Sequence, residues 1–475
     1  MRAALDVGAY QARSRIASAQ RCVNLYAETN PEDAPVKFTY YPAPGHTLLA
    51  ACPTPGIARG HYRTSQGTEY AAVGMFLYSI GTSAVWTQLG MISNLTTPVD
   101  MTDNGTTLIV VDGTVTGGWQ VTLATNAFSQ ITDPNFLGGV RCDFIDTYFM
   151  INQPNTPNWY ISLSNSAAFD SLDFAGKTGY SDGISGVIAL HDEAWLIGNL
   201  TTEVWYNSGA SNFTFQKQAG VFIHHGCIAP YSICKQDQAI YYVSQDEQGQ
   251  GILAKTVPYE QTRISTHAIE AQLATYPTLA DCIAYCWQQN GHSFVTFDFP
   301  TADKSWTFDE STQQWHERVS IDSNGNEHRP VGAFIINCYN QNLCLDHATG
   351  ALYRLDQTNF TDNGMAVVRR RGFPHNLEDG KRVFYTNFVA DLDCGQVAAT
   401  LSSNQPQIYL RRSKDRGYSW TDATGRPMGS TGQYNVRPSW WRMGMAPDMV
   451  FELFWSINSF TALNGAFVQF DSAET

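Results

Sequence analysis

The chain is expected to be an all-β protein, most of it one small antiparallel sheet unit repeated in series. Three observations carry that expectation. Composition comes first: 13% aromatic residues, 38 Gly and only 15% charged residues, with no long run at helical spacing, so helices should be few and short. Second, short apolar strands recur from about residue 68, most of them followed by a polar turn and another strand. Third, an aromatic landmark returns in almost every unit at nearly even intervals.

The leading strands read EYAAVGMFLYSI (69–80), TLIVVDG (107–113), TYFMIN (147–152), EAWLIG (193–198), AIYYVS (239–244), SFVTFDF (293–299) and QNLCLD (341–346). Their partners include GWQVTL (118–123), NWYISL (158–163), EVWYNS (203–208), ILAKTV (252–257), SWTFDE (305–310) and ALYRLD (351–356). The landmarks Tyr78, Trp119, Trp159, Trp205, Trp306 and Tyr353 lie 41, 40, 46, 101 and 47 residues apart, and the gap of 101 holds two units with its missing member near Leu253. Four short strands every ~40–50 residues is the requirement of a propeller blade. Each blade has a face that only the next can cover, so the ring must close. The spacing predicts a β-propeller of six or seven blades over residues 61–364. A pair of β-sandwiches is the alternative, but sandwiches do not call for such even spacing.

Two flanks fall outside the repeat. Residues 1–60 are irregular and contain YPAPG and CPTPG, which read as extended segments and turns. Residues 365–475 resume as strands around RVFYTNFVADL (382–392), QIYLRRS (407–413) and MVFELFWS (449–456). They should form a C-terminal β domain against which the segment 1–60 packs.

Net charge is −14 and unevenly spread. Residues 365–445 carry 12 Lys/Arg against 6 Asp/Glu, residues 446–475 carry 4 Asp/Glu and no Lys/Arg, and residues 1–364 have a balance of −16. Such a body would not bind DNA by counterion release, although the basic portion suits an acidic neighbour. The N-terminal twenty residues lack the apolar core of a signal peptide, no stretch approaches the ~20 apolar residues of a membrane span, and synthesis in a cytosol is expected. The ten cysteines form no CxxC and read as packed, reduced thiols.

Several motifs invite chemistry. Gly179-Tyr180-Ser181-Asp182-Gly183 matches GxSxG, but DFAGKT before it and ISGVIAL after it are not the strand and helix of a nucleophile elbow. His224 and His225 in FIHHGC point to opposite faces of a strand, which favours packing over metal ligation. DSNGNE (322–327) departs from a calcium loop and reads as an Asn-Gly hairpin turn. Ser413-x-Asp415-x-Gly417-x-Ser419-Trp420 has the spacing of the Asp-box of sialidases and related propellers. Its Ser and Asp oxygens accept hydrogen bonds in a turn that Gly417 permits, with Trp420 buried in the sheet behind. This is a fold element, not a catalyst. A sialidase would need three separated arginines around a carboxylate, whereas Arg369, Arg370 and Arg371 are contiguous. No catalytic, cofactor-binding or metal-binding residue is assigned.

As a set, SAQRCVNLYAETNP (18–31), PTPGIARGHYRT (53–64), HGCIAPYSI (225–233), RISTHAIE (263–270), GHSFVTFDFPTADKSWTFDESTQQWHER (291–318) and RRSKDRGYSW…GSTGQYNVRPSWWRMG (411–444) resemble the tail-hub or nozzle proteins of short-tailed bacteriophages. These are also described as packaged-DNA stabilisation proteins. The resemblance is collinear over most of the chain, and GHSF…FPTA…W…WHER is its most specific part. It implies a propeller joined to further β domains in a hexameric ring below the portal–adaptor complex. It also implies passage of double-stranded DNA without sequence-specific binding, genome retention, a tail position in the virion, and attachment of tailspikes, fibres or a needle-like plug. Within that reading, Arg369, Arg370, Arg371, Arg411, Arg412, Trp440 and Trp441 are the candidate contacts to a partner or neighbouring copy. The alternatives are a sialidase-like or polysaccharide-degrading propeller hydrolase and a propeller that binds glycans without cleaving them.

Overall fold

A computed structural model of the chain describes residues 2–3, 8, 10–180, 182–377, 381–396 and 406–472. Seven four-stranded antiparallel blades follow one another around a ring: 58–91, 100–130, 142–176, 184–217, 234–263, 283–317 and a seventh beginning at 332. The landmark residues fall in register. Tyr78, Trp119, Trp159, Trp205, Leu253, Trp306 and Tyr353 all lie on the third strand of their blades. Leu253 holds the blade-5 position, which explains the doubled interval.

Each junction between blades has its own apolar core. Leu77, Val99 and Leu108 pack between blades 1 and 2, and Ile109, Phe149 and Tyr160 between blades 2 and 3. Trp159 and Trp205 meet edge-on at 5.6 Å between blades 3 and 4. Further round, Ile197 and Tyr242 share one such core, Leu253 and Phe297 the next, and Phe294 and Tyr353 the one after. Ala71 and Leu343 complete the circle between blades 1 and 7. There His61 Nδ1 lies 2.9 Å from the Phe334 carbonyl, while its Nε2 meets Glu69 at 2.7 Å. A sheet two-sidedly covered in this way reads as continuous apolar strand, as in TLIVV (107–111).

Closure depends on the N-terminal flank. Blade 7 takes three strands from 332–356, and its fourth is Gly45–Ala50, antiparallel to Leu352–Asp356. A Cβ on Gly45 would lie 2.4 Å from the Asn359 carbonyl oxygen and 2.5 Å from that of Thr361, so only glycine allows the approach. The flank is therefore divided. Leu25–Thr29 and Phe38–Pro42 form a hairpin attached to the C-terminal strands, while the next strand enters the ring. The innermost strands line a half-open cavity of about 140 Å³, with Asp100, Arg141 and Tyr231 among its lining residues.

Beyond the ring, two sheets face each other across a core that includes Phe388, Trp440, Phe451 and Trp455. One has Leu463–Ser472 at its centre, with Val383–Leu392 and then the edge strand Ser439–Ala446 on one side and the N-terminal hairpin on the other. The other continues blade 6: its outer strand Gln314–Glu317 pairs with Cys22–Val23, then come Arg369–Gly372, Asp448–Trp455, Gln407–Ser413 and Thr424–Pro427. One hydrogen-bonded sheet thus runs from propeller to C-terminal domain. Among the described residues the single α-helix is His267–Leu273, capped by Thr266, and no helix is long and apolar enough to cross a membrane.

Candidate functional site

The candidate contact residues lie on the two sheets of the C-terminal domain, and strand alternation decides what each can do. Arg369–Gly372 runs between Cys22–Val23 and Asp448–Trp455. Arg370 is on the sheet face that carries charged side chains, and Arg369 and Arg371 are on the other.

On the charged face six side chains alternate in sign from the Gln314–Glu317 strand to the Gln407–Ser413 strand. Arg21 grips Glu317 with Nε at 3.0 Å and Nη2 at 2.6 Å, and reaches Glu327 at 2.9 Å. Arg370 meets Glu327 at 3.0 Å and Glu452 at 3.4 Å, and Arg411 meets Glu452 at 2.7 Å. The Arg411 guanidinium also covers the Trp420 ring at 4.8 Å. Burial pushes the Glu327 carboxyl up, but Arg21 and Arg370 outweigh it and the net shift is downward. Burial likewise lowers Arg370, with Glu452 opposing it. Three arginines and three glutamates leave no net charge. Arg370 and Arg411, expected at an acidic partner, are committed within the chain.

Arg369 and Arg371 are 0% exposed. Arg369 donates to the Ser459 carbonyl at 3.1 Å and Thr461 Oγ1 at 3.0 Å, with its guanidinium 4.7 Å from the Phe360 ring. Burial pushes it down to about 9. Arg371 donates to the Gly8 carbonyl at 2.6 Å and Gln20 Oε1 at 3.1 Å, beneath the Tyr40 ring. These two side chains present nothing to a partner. They tie the N-terminal segment and the 459–461 loop to the sheet, and their assignment as contact residues is corrected accordingly. Charge reversal of the run would disrupt the fold. Arg412, on the face opposite Arg411, is half-buried with Nη1 3.7 Å from Met443 Sδ, and burial lowers it.

The adjacent tryptophans separate in the same way. Trp440 is 1% exposed in the sandwich core and donates to the Thr424 carbonyl at 2.7 Å, so it cannot be a surface contact. Trp441 is 61% exposed beside Phe384 at 50% and Met445 at 37%. Opposite Thr386 the edge strand bulges, with Arg442 at φ +59° and Gly444 at φ +92°. The bulge interrupts an otherwise pairable edge. Trp441, Phe384, Thr386 and Arg442 line a shallow groove there. Lys381, Arg382, Lys414, Arg416, Arg437 and Arg442 are exposed cations of this domain. Sequence reading missed them, together with Phe384 and Met445. The signal available was Arg442 directly after Trp441.

The Asp-box-like segment is the turn of the hairpin between Gln407–Ser413 and Thr424–Pro427. Ser413 Oγ donates to Asp415 at 2.6 Å and accepts from the Gly417 amide at 2.7 Å. The Ser419 amide and hydroxyl both donate to Asp415, at 2.8 Å and 2.5 Å. Hydrogen bonds from Ser413 and Ser419 hold the Asp415 carboxyl down to about 2. Gly417 sits at φ +91°. Trp420 is half-buried under Arg411 instead of lying in the sheet core.

Of the other motifs, Ser181 lies outside the described residues. His224 is exposed, its ring 4.8 Å from that of Phe222, and Cys227 is buried. DSNGNE is a hairpin turn in which Asp322 Oδ1 accepts from the Asn324 and Asn326 amides. Among the described residues no three His, Cys, Asp or Glu side chains are grouped to hold a metal ion.

A family model described as "Bacteriophage P22 Gp10, beta-propeller" matches residues 7–360, which spans the whole ring and its N-terminal flank. No curated protein matches the chain. Among solved structures, the extracellular domain of the two component system BT4673 from B. thetaiotaomicron aligns at TM-score 0.45 and 10% identity, over 84% of this chain and 48% of that one. The chain thus spans about half the length of that relative. YCF48 from Cyanidioschyzon merolae aligns at 0.43 and 12%, over 66% and 100%. Virginiamycin B lyase from Staphylococcus aureus aligns at 0.41 and 10%, over 65% and 98%. At these scores the likenesses carry no argument about function.

Proposed function

Because the chain belongs to the phage stabilisation family described by the P22 Gp10 β-propeller, we propose that it is the hub of a short phage tail. Copies close into a ring, hexameric by the resemblance, below the portal–adaptor complex. The ring surrounds double-stranded DNA without reading its sequence, helps retain the packaged genome, and carries a tailspike, fibre or plug. The protein is made in the host cytoplasm and acts in the virion by burying interface area, without catalysis.

The family match over the ring carries this reading. Two features support its finer parts. The cavity among the inner strands, about 140 Å³ and bridged by Arg141 between Asp100 at 2.7 Å and the Pro230 carbonyl at 2.8 Å, is far too small for a duplex, which supports a DNA passage between copies. The Trp441 edge joins exposed apolar rings to cations, while residues 1–364 carry a balance of −16. One such edge against the acidic propeller of the next copy is a heterologous contact, the kind that closes a ring.

The test uses DNA-filled heads bearing portal and adaptor. Adding the purified chain should protect the DNA from nuclease, and Trp441→Glu should abolish attachment while leaving thermal unfolding unchanged. Equal protection without the chain would refute the proposal.

A further inference from the structure

All ten cysteines are free thiols, and eight of them are buried; Cys234 and Cys286 are the two with partial exposure. They lie on the innermost strands of neighbouring blades, Cys234 on Cys234–Gln236 of blade 5 and Cys286 on Ile283–Gln289 of blade 6. Their sulfurs are 3.3 Å apart. Those two strands belong to separate sheets, and at this height side chains join them, the Cys286 thiol donating to the Cys234 sulfur.

We propose that Cys234 and Cys286 form a redox-responsive clasp between blades 5 and 6. A disulfide needs its sulfurs at about 2.05 Å, so from 3.3 Å they must close by roughly 1.2 Å. The oxidant is a small-molecule disulfide such as glutathione disulfide. One protein thiolate attacks it and expels a glutathione thiolate; the second then attacks the protein sulfur of the mixed disulfide and expels the other. Two protein thiols are oxidised, one glutathione disulfide is reduced to two glutathione molecules, and the two protons lost by the protein thiols pass to the two glutathione thiolates. Burial, followed by the neighbouring sulfur, raises the Cys286 thiol well above its ordinary value. The exchange should therefore be slow at neutral pH and faster in alkali. A reducing cytosol would keep the clasp open and an oxidising medium would close it. The inference is independent of the tail-hub reading.

The test takes the purified full chain from reductant into glutathione disulfide at pH 8.5, counts thiols after denaturation, and records thermal unfolding. The count should fall from ten to eight, and the midpoint should rise by about 2–5 °C. Cys234→Ser and Cys286→Ser, each starting from nine thiols, should lose at most the one that glutathione caps as a mixed disulfide, and Cys394→Ser, in the C-terminal domain, should still lose two. A parent count that stays at ten, or loss of two thiols in either single variant, overturns the assignment. Loss of two thiols with an unchanged or lower midpoint overturns the clasp.

Discussion

Glu452→Gln is the sharpest perturbation of the joint between propeller and C-terminal domain. Glu452 is 1% exposed and receives Arg411 at 2.7 Å and Arg370 at 3.4 Å. Glutamine keeps the shape and removes the charge. Arg370 would retain Glu327 at 3.0 Å, while Arg411 would retain the Trp420 ring. Stripping one partner from a buried pair costs about 3–5 kcal/mol. The remaining contacts and the 28% exposure of the Arg411 side chain place this variant near the lower end, about 3 kcal/mol. Arg411→Gln should cost less, about 1–2 kcal/mol, because Glu452 keeps Arg370. The double variant should be less destabilised than the sum by ~1 kcal/mol or more. Urea unfolding followed by tryptophan fluorescence measures all three, since Trp440 and Trp455 report on this core. A Glu452→Gln midpoint indistinguishable from the parent, or strict additivity, would refute the ladder as the coupling element.

Other substitutions separate neighbours in sequence. Trp440→Ala should cost about 3–5 kcal/mol in urea unfolding, whereas Trp441→Ala should leave unfolding within about 0.5 kcal/mol and weaken association in sedimentation. Arg371→Glu puts a carboxylate against the Gly8 carbonyl and Gln20 Oε1, and should give no soluble folded chain in expression trials; soluble protein with parental circular dichroism would contradict that. Gly45→Ala forces a methyl into backbone oxygens near 2.5 Å and should release the 45–50 strand, read as lost amide protection there while the C-terminal sheets stay protected. The Glu327 carboxyl is lowered in the fold, so its contribution is complete above about pH 4.5 and fades as pH falls through the folded value. Glu327→Gln should flatten that acid limb of the stability curve measured by urea midpoints from pH 3 to pH 6.

The ring was legible because each blade repeats a local event, a hairpin of apolar strands with one bulky residue on its third strand. Even the break in the pattern at Leu253 could be located. The closing strand Gly45–Ala50 was not legible, since its partner Leu352–Asp356 lies some three hundred residues away and GHTLLA has no hairpin mate beside it. Charge misled for a related reason. The excess of cations in 365–445 and of acids in 446–475 looks segregated along the chain, but Glu452 pairs with Arg370 and Arg411, and Asp448 with His375 at 2.8 Å and Arg416 at 3.5 Å. Alternation along Arg369–Arg371 was readable from sequence. That both faces of this strand are interior was not, because it requires knowing that Cys22–Val23 and Asp448–Trp455 flank it.

The proposed role rests on assembly, and imaging tests it most directly. Purified chain should be recorded alone and after mixing with a portal–adaptor complex. The account predicts a closed ring of copies on the complex, with no density threading the individual propellers and the Trp441 edge at a contact between copies or with the adaptor. Copies that remain single and unattached, or DNA running through the blade axis of one copy, would contradict it.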